Sequence, residues 1–65
     1  MFSIHWFKMD GAREVLDLVA NMGARTRAEA ISKALALWDT RALDRGITRI
    51  ELHENGALEA FWRHP

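Results

Sequence analysis

The chain has no cysteine, only one proline, at its last position, and no net charge, nine basic residues standing against nine acidic ones. Without cysteine, neither a disulfide nor a thiolate metal site can brace the fold, and a reducing compartment is expected. No stretch approaches the ~20 apolar residues of a membrane helix. The opening residues also lack the basic start, apolar core and small-residue cleavage site of a signal peptide, so the expected location is the cytoplasm. Four glycines and one proline, with 49% hydrophobic and 28% charged residues, describe a chain that folds rather than one that stays disordered.

Sixty-five residues form one small domain, and a domain of this size hides only about 60% of its unfolded surface when it folds alone. Self-association is the brace that remains. The charge balance is uneven along the chain. Between Gly23 and Trp38, Arg25, Arg27 and Lys33 meet only Glu29, so the middle third is locally cationic. Any contact with nucleic acid must come from such local placement.

The run Phe2-Ser3-Ile4-His5-Trp6-Phe7-Lys8-Met9 is aromatic and branched and reads as a strand. Phe2, Ile4 and Trp6 share one face, Ser3, His5, Phe7 and Met9 the other, so both faces need cover. After Asp10, a candidate N-cap, Ala12, Val15, Leu16, Val19 and Met22 recur at helical spacing, which predicts a short helix A ending at Gly23. Thr26-Arg27-Ala28-Glu29 matches a capping box and opens helix B. Its stripe is Ile31, Ala34, Leu35, Trp38 and Ala42, widened by Ala30 and Leu37, and Gly46 is the stop signal. Beyond Ile47 the period changes to two around Asn55-Gly56, which predicts a tight hairpin with arms over Thr48 to His53 and Leu58 to Arg63. A two-residue loop would set Ile50 opposite Phe61 and Arg49 opposite Trp62.

Strand, short helix, glycine turn and longer helix, with Met22-Gly23-Ala24-Arg25-Thr26-Arg27-Ala28-Glu29-Ala30-Ile31 followed by Ala34-Leu35, resemble the ribbon-helix-helix family of DNA-binding dimers of the Arc and CopG type. The resemblance implies an α+β fold: a β-α-α core over residues 1–46 forming an intertwined homodimer, with residues 47–65 as an added C-terminal hairpin. It implies a transcriptional repressor or antitoxin-type regulator whose paired N-terminal strands enter the major groove of double-stranded DNA. Arg25, Thr26 and Arg27 would then anchor phosphates at the helix B N-terminus. In one register of the ribbon Ile4, Trp6 and Lys8 face the bases; in the other Ser3, His5 and Phe7 do. Phe7, Met9, Ile31, Leu35 and Trp38 would line the dimer interface.

Each signal has a plainer reading. Thr26 and Glu29 serve as a cap whether or not DNA is bound, and Trp38 at helical spacing reads as core or interface. Arg25 and Arg27 can simply be solvated. His5, His53 and His64 show no ligand-like spacing and no carboxylate on a shared face, so no metal or cofactor is expected. Neither serine has a visible base partner, which leaves an enzyme as the least favoured class. The competing reading is a dimeric protein-interaction module without DNA binding, of the phage- or plasmid-type kind that inhibits a host protein; a toxin or a host protein is the protein partner expected beside DNA and a second copy. Zero net charge, an apolar strand and the Trp/Phe hairpin favour it.

Overall fold

The computed structural model describes residues 1–41 and 46–64. Its elements are β1 (Phe2–Asp10), β2 (Arg13–Met22), α1 (Arg27–Arg41), β3 (Ile47–Glu54) and β4 (Ala57–Arg63). The strands form one antiparallel sheet in the order β2-β1-β3-β4. The single helix lies against one face of it, nearest β3 and β4.

Each half of the sheet is a tight hairpin. Asp10 pairs with Arg13 around Gly11-Ala12, and only Gly11 has a positive φ (64°), the pattern of a type II′ turn. Glu54 pairs with Ala57 around Asn55-Gly56, where both residues have positive φ (51° and 88°), the pattern of a type I′ turn. Both turns match the right-handed twist of their strands, and glycine supplies the conformation that a Cβ disfavours.

The covered face holds the core. Ile4, Trp6, Ile50 and Leu52 pair across β1 and β3 and are at most 5% exposed, with Phe2 and Ile47 beside them. Ala30 and Ala34 are the fully buried residues of α1, and their small side chains let the helix lie close to the sheet. Ala60 and Trp62 of β4 and Ala20 and Met22 of β2 close the cluster at its margins. The helix begins at the expected cap: the Glu29 amide donates to Thr26 Oγ1 at 3.1 Å. The Glu29 carboxylate reaches Lys33 at 3.3 Å, one turn on. The described helix ends at Arg41; Gly46, the expected stop, has φ 67° just before β3, and residues 42–45 between them lie outside the described residues. Ala42, expected on the helix stripe, lies outside the described residues.

The β-α-α ribbon-helix-helix fold is overturned. The segment read as helix A is β2, so the described residues hold one helix where that fold needs two. An 11-residue helix is marginal on its own, whereas β1 offers this segment a full ladder. A bulge explains the misleading period. Trp6 pairs with Leu18 and Phe7 with Leu16, leaving Asp17 as an extra residue. The bulge therefore sets Leu16 and Val19 three residues apart on the open face, while Val15 and Met22 of the same stripe face the covered side, and that three-residue step imitates a helix. The intertwined ribbon falls with the fold, because β1 is paired on both edges within its own chain.

A second bulge re-registers the C-terminal hairpin. Its arms are as expected, but Leu52 pairs with Ala60 and His53 with Leu58, which leaves Glu59 extra. Ile50 therefore faces Trp62, not Phe61, and Arg49 faces Arg63, not Trp62. The one-residue slip puts Trp62 beneath the helix and Phe61 on the open face. This hairpin is no appendage: β3 sits at the centre of the sheet, beside β1.

Candidate functional site: the open face of the sheet

The face away from α1 carries a polar network between two apolar columns. Ser3, His5, Phe7 and Met9 of β1 alternate with the core positions and point to this side. Their cross-strand partners on β3, His53, Glu51 and Arg49, do the same. The His5 and His53 rings stack with centroids 3.9 Å apart. His53 Nε2 and Glu51 Oε1 are 2.8 Å apart, and Ser3 Oγ and His5 Nε2 3.3 Å apart.

Arg49 is the hub. Its Nη2 reaches Glu51 at 3.3 Å and Glu14 at 3.4 Å, and its guanidinium carbon lies 4.0 Å from the centre of the Phe7 ring. Planar, delocalised charge suits that stacking. Glu14 also accepts from the Thr48 hydroxyl at 2.7 Å and lies 3.8 Å from Arg63. Thr48 is the extra residue where β3 bulges against β1. Two arginines and two glutamates thus neutralise one another across three strands.

Partial burial holds His5 below its ordinary pKa, and the neighbouring His53 pushes the same way while Glu51 pulls it up. His5 is therefore a neutral ring at pH 7, which permits the close stack on His53.

Apolar side chains flank this centre. Leu16 and Val19 on β2 oppose Phe7 and His5, and Leu58 and Phe61 on β4 oppose His53 and Glu51. With Met9 they make five of the eight exposed large apolar residues among those described. A monomer seldom concentrates such residues on one face without a use for them.

The residues singled out from sequence do not gather into one site. Ile4 and Trp6 are buried under the helix, out of reach of any base edge, while Lys8 at the far end of β1 pairs with Asp17 at 3.2 Å. Of the two registers weighed, Ser3, His5 and Phe7 form the outward face. Arg25 and Thr26 are exposed at the start of α1, and Arg27 reaches Glu59 at 3.2 Å. The expected interface residues are scattered. Phe7 and Met9 lie on the open face, Ile31 and Trp38 are half-buried on the other side, and Leu35 is 43% exposed on the helix. Trp38 packs its ring 4.4 Å from that of His64.

Sequence reasoning missed the network on β3 and its acid on β2. Glu51 and His53 are two apart on a strand and so share a face, a signal that was present. Glu14 was hidden by the helical reading of its segment, and the approach of His5 depends on the β1–β3 pairing, which no local pattern encodes. Among the described residues no group of three or more His, Cys, Asp or Glu could hold a metal ion. Among the same residues no helix is long and apolar enough to cross a membrane. Compared with family models, curated proteins and solved structures, the chain matches none.

Proposed function

We propose that this chain is a self-associating protein-interaction module, with the open face of the sheet as its pairing surface. The observation that carries the reading is the clustering of Met9, Leu16, Val19, Leu58 and Phe61 on the face that none of the described elements covers. The face is self-complementary in pattern. Two copies stacked about a two-fold axis lying between the sheets, either along the strands or perpendicular to them, bring apolar column onto apolar column and polar centre onto polar centre.

Its charges also favour a protein over DNA. Arg49 and Arg63 are answered by Glu14 and Glu51, so the face offers phosphates no net positive potential. The regulator reading would need a surface other than the ribbon, and near the helix start Arg27 is already engaged with Glu59.

Size sets the strength. Four strands about 4.8 Å apart and about eight residues long present roughly 500 Å², less than the roughly 800 Å² per partner of a standard stable interface. A concentration-dependent dimer is expected, half-assembled in the micromolar range or above. Sedimentation over a concentration series tests this, with Phe61→Lys and Val19→Lys, both at exposed positions, as disrupting variants. Dimers abolished by either substitution at unchanged melting temperature support the proposal; a monomer at millimolar concentration overturns it. Salt-sensitive micromolar binding to mixed-sequence duplex DNA, weakened by Arg25→Ala, would instead restore the regulator reading.

A further inference from the structure

On the covered side, α1 leaves a groove along β2. Four strands make a sheet ~19 Å wide, whereas a helix with its side chains is only ~10 Å across. Because α1 lies nearest β3 and β4, the β2 margin is left with one wall missing. The groove has a volume of about 490 Å³. Its floor is a row of alternate β2 residues, Leu18, Ala20 and Met22, and its standing wall is the Ala36 and Leu37 flank of α1. Leu18, facing this side, is 42% exposed, so the groove is open to solvent.

Shape and charge together define an occupant. The β2 row spans ~14 Å at 3.4 Å per residue. Lys33 and Arg41 stand on the α1 rim, eight residues and therefore ~12 Å apart. Both lengths correspond to two to three turns of a second helix lying alongside α1. Ala20 and Ala36 are small enough to admit it at the 8–10 Å spacing of packed helices. The rim cations carry the only charges in the lining among the described residues, although Lys33 shares its charge with Glu29. The α1 helix of a second copy does not fit, because Leu35 is its only large apolar side chain standing well out of the fold.

We propose that this groove docks an amphipathic helix of a partner protein, its apolar stripe on Leu18, Ala20 and Met22 and an acidic flank toward Lys33 and Arg41. The groove lies on the opposite side of the sheet from the pairing face, so this interaction stands or falls independently of dimer formation.

The test uses the full chain and two fluorescein-labelled 15-residue helical peptides, each with a Leu/Ala face, one flanked by Glu and the other by Lys. Anisotropy titrations are read beside amide shifts of the ¹⁵N-labelled protein. The Glu-flanked peptide should bind at least tenfold tighter than the Lys-flanked one, with shifts confined to residues 18–22 and 33–41. Ala36→Glu, at an exposed helix position, should weaken it at least tenfold without changing the melting temperature. Lys33→Glu with Arg41→Glu should reverse the preference between the peptides. Binding blind to that reversal, shifts centred on the open face, or no binding of either peptide at 1 mM overturns the proposal. Binding of dodecanoate in place of both peptides would also overturn it and assign the groove to a small amphiphile.

Discussion

The two hairpins of this sheet are near twins in construction and opposites in fate. Each has a two-residue glycine turn, one central strand, one edge strand and a bulge. The second lies beneath α1, so its edge strand tucks Ala60 and Trp62 into the core. Neither edge strand has a fully buried residue, but β4 exposes its large apolar residues, Leu58 and Phe61, on the open face alone, whereas β2 exposes Leu16 and Val19 there and Leu18 on the covered side as well. The buried strand residues all lie on the two central strands, and the position of α1 decides which edge keeps an apolar side chain bare on the covered side. The consequence is an asymmetric molecule with a dry side over β3 and β4, a bare margin at β2, and an open face that both hairpins share.

The largest effect that tests this asymmetry is a pair of truncations. Ile50 is fully buried at the centre of the covered side, and Ile50→Ala should cost about 2–5 kcal/mol. A domain of this size has only roughly 3–5 kcal/mol to lose, so the variant should be largely unfolded at 25 °C. Leu18→Ala, at the bare margin, should cost less than about 1 kcal/mol. Urea denaturation followed by circular dichroism compares them. Equal losses would mean that the β2 margin is covered after all, whether by a partner copy or by another packing of the helix.

How much of this was legible follows the same division. β1, the capped start of α1 and the C-terminal hairpin were readable because each rests on local chemistry: aromatic and branched alternation, Thr26 with Glu29, and Asn55-Gly56. The first hairpin was not, although Asp10-Gly11 is a turn signal of the same kind. Asp10 is also a good helix cap, and the bulge at Asp17 gave the following apolar residues a helical step, so two local signals agreed on the wrong element. Which face of the sheet α1 would cover, and the register that sends Trp62 inward and Phe61 outward, depend on contacts between segments tens of residues apart. The same holds for the site, since Glu51 and His53 were two letters apart on the page but His5 and Glu14 were not.

The glycines separate the helical and strand readings at a smaller scale. Gly11 sits at φ 64°, and nothing lies within 4 Å of a Cβ placed there, so Gly11→Ala should cost about 1–2 kcal/mol from backbone strain alone. Gly23, the expected stop of helix A, has no positive φ and equally open surroundings. Gly23→Ala should therefore be neutral or stabilise by about 0.4–1 kcal/mol, by restricting the unfolded chain. Had residues 12–22 been a helix closed by Gly23, the order would be inverted. Thermal melting of the two variants decides between them.

The smallest effect lies at the joint between the hairpins, where His5 of the first stacks on His53 of the second. The groups facing His5 are Ser3 on its own strand, His53 and Glu51 on β3 and Val19 on β2. The folded state holds the His5 pKa below its ordinary 6.5, chiefly by partial burial. Above pH 7 the ring is neutral in both the folded and the unfolded chain, so it adds no pH dependence there. As the pH falls below about 6.5 the unfolded chain takes up a proton that the folded one resists, and stability is lost until the folded ring also titrates. The melting temperature should thus be flat from pH 8 to 7 and decline below 6.5, and His5→Gln should remove part of that decline. Subtracting the variant's profile from that of the parent isolates the contribution of His5. A difference profile that rises toward pH 5.5 would show that Glu51 outweighs burial and the second imidazole, and that the two hairpins are joined on this face by charge rather than by a neutral stack; a flat one would show that these effects cancel.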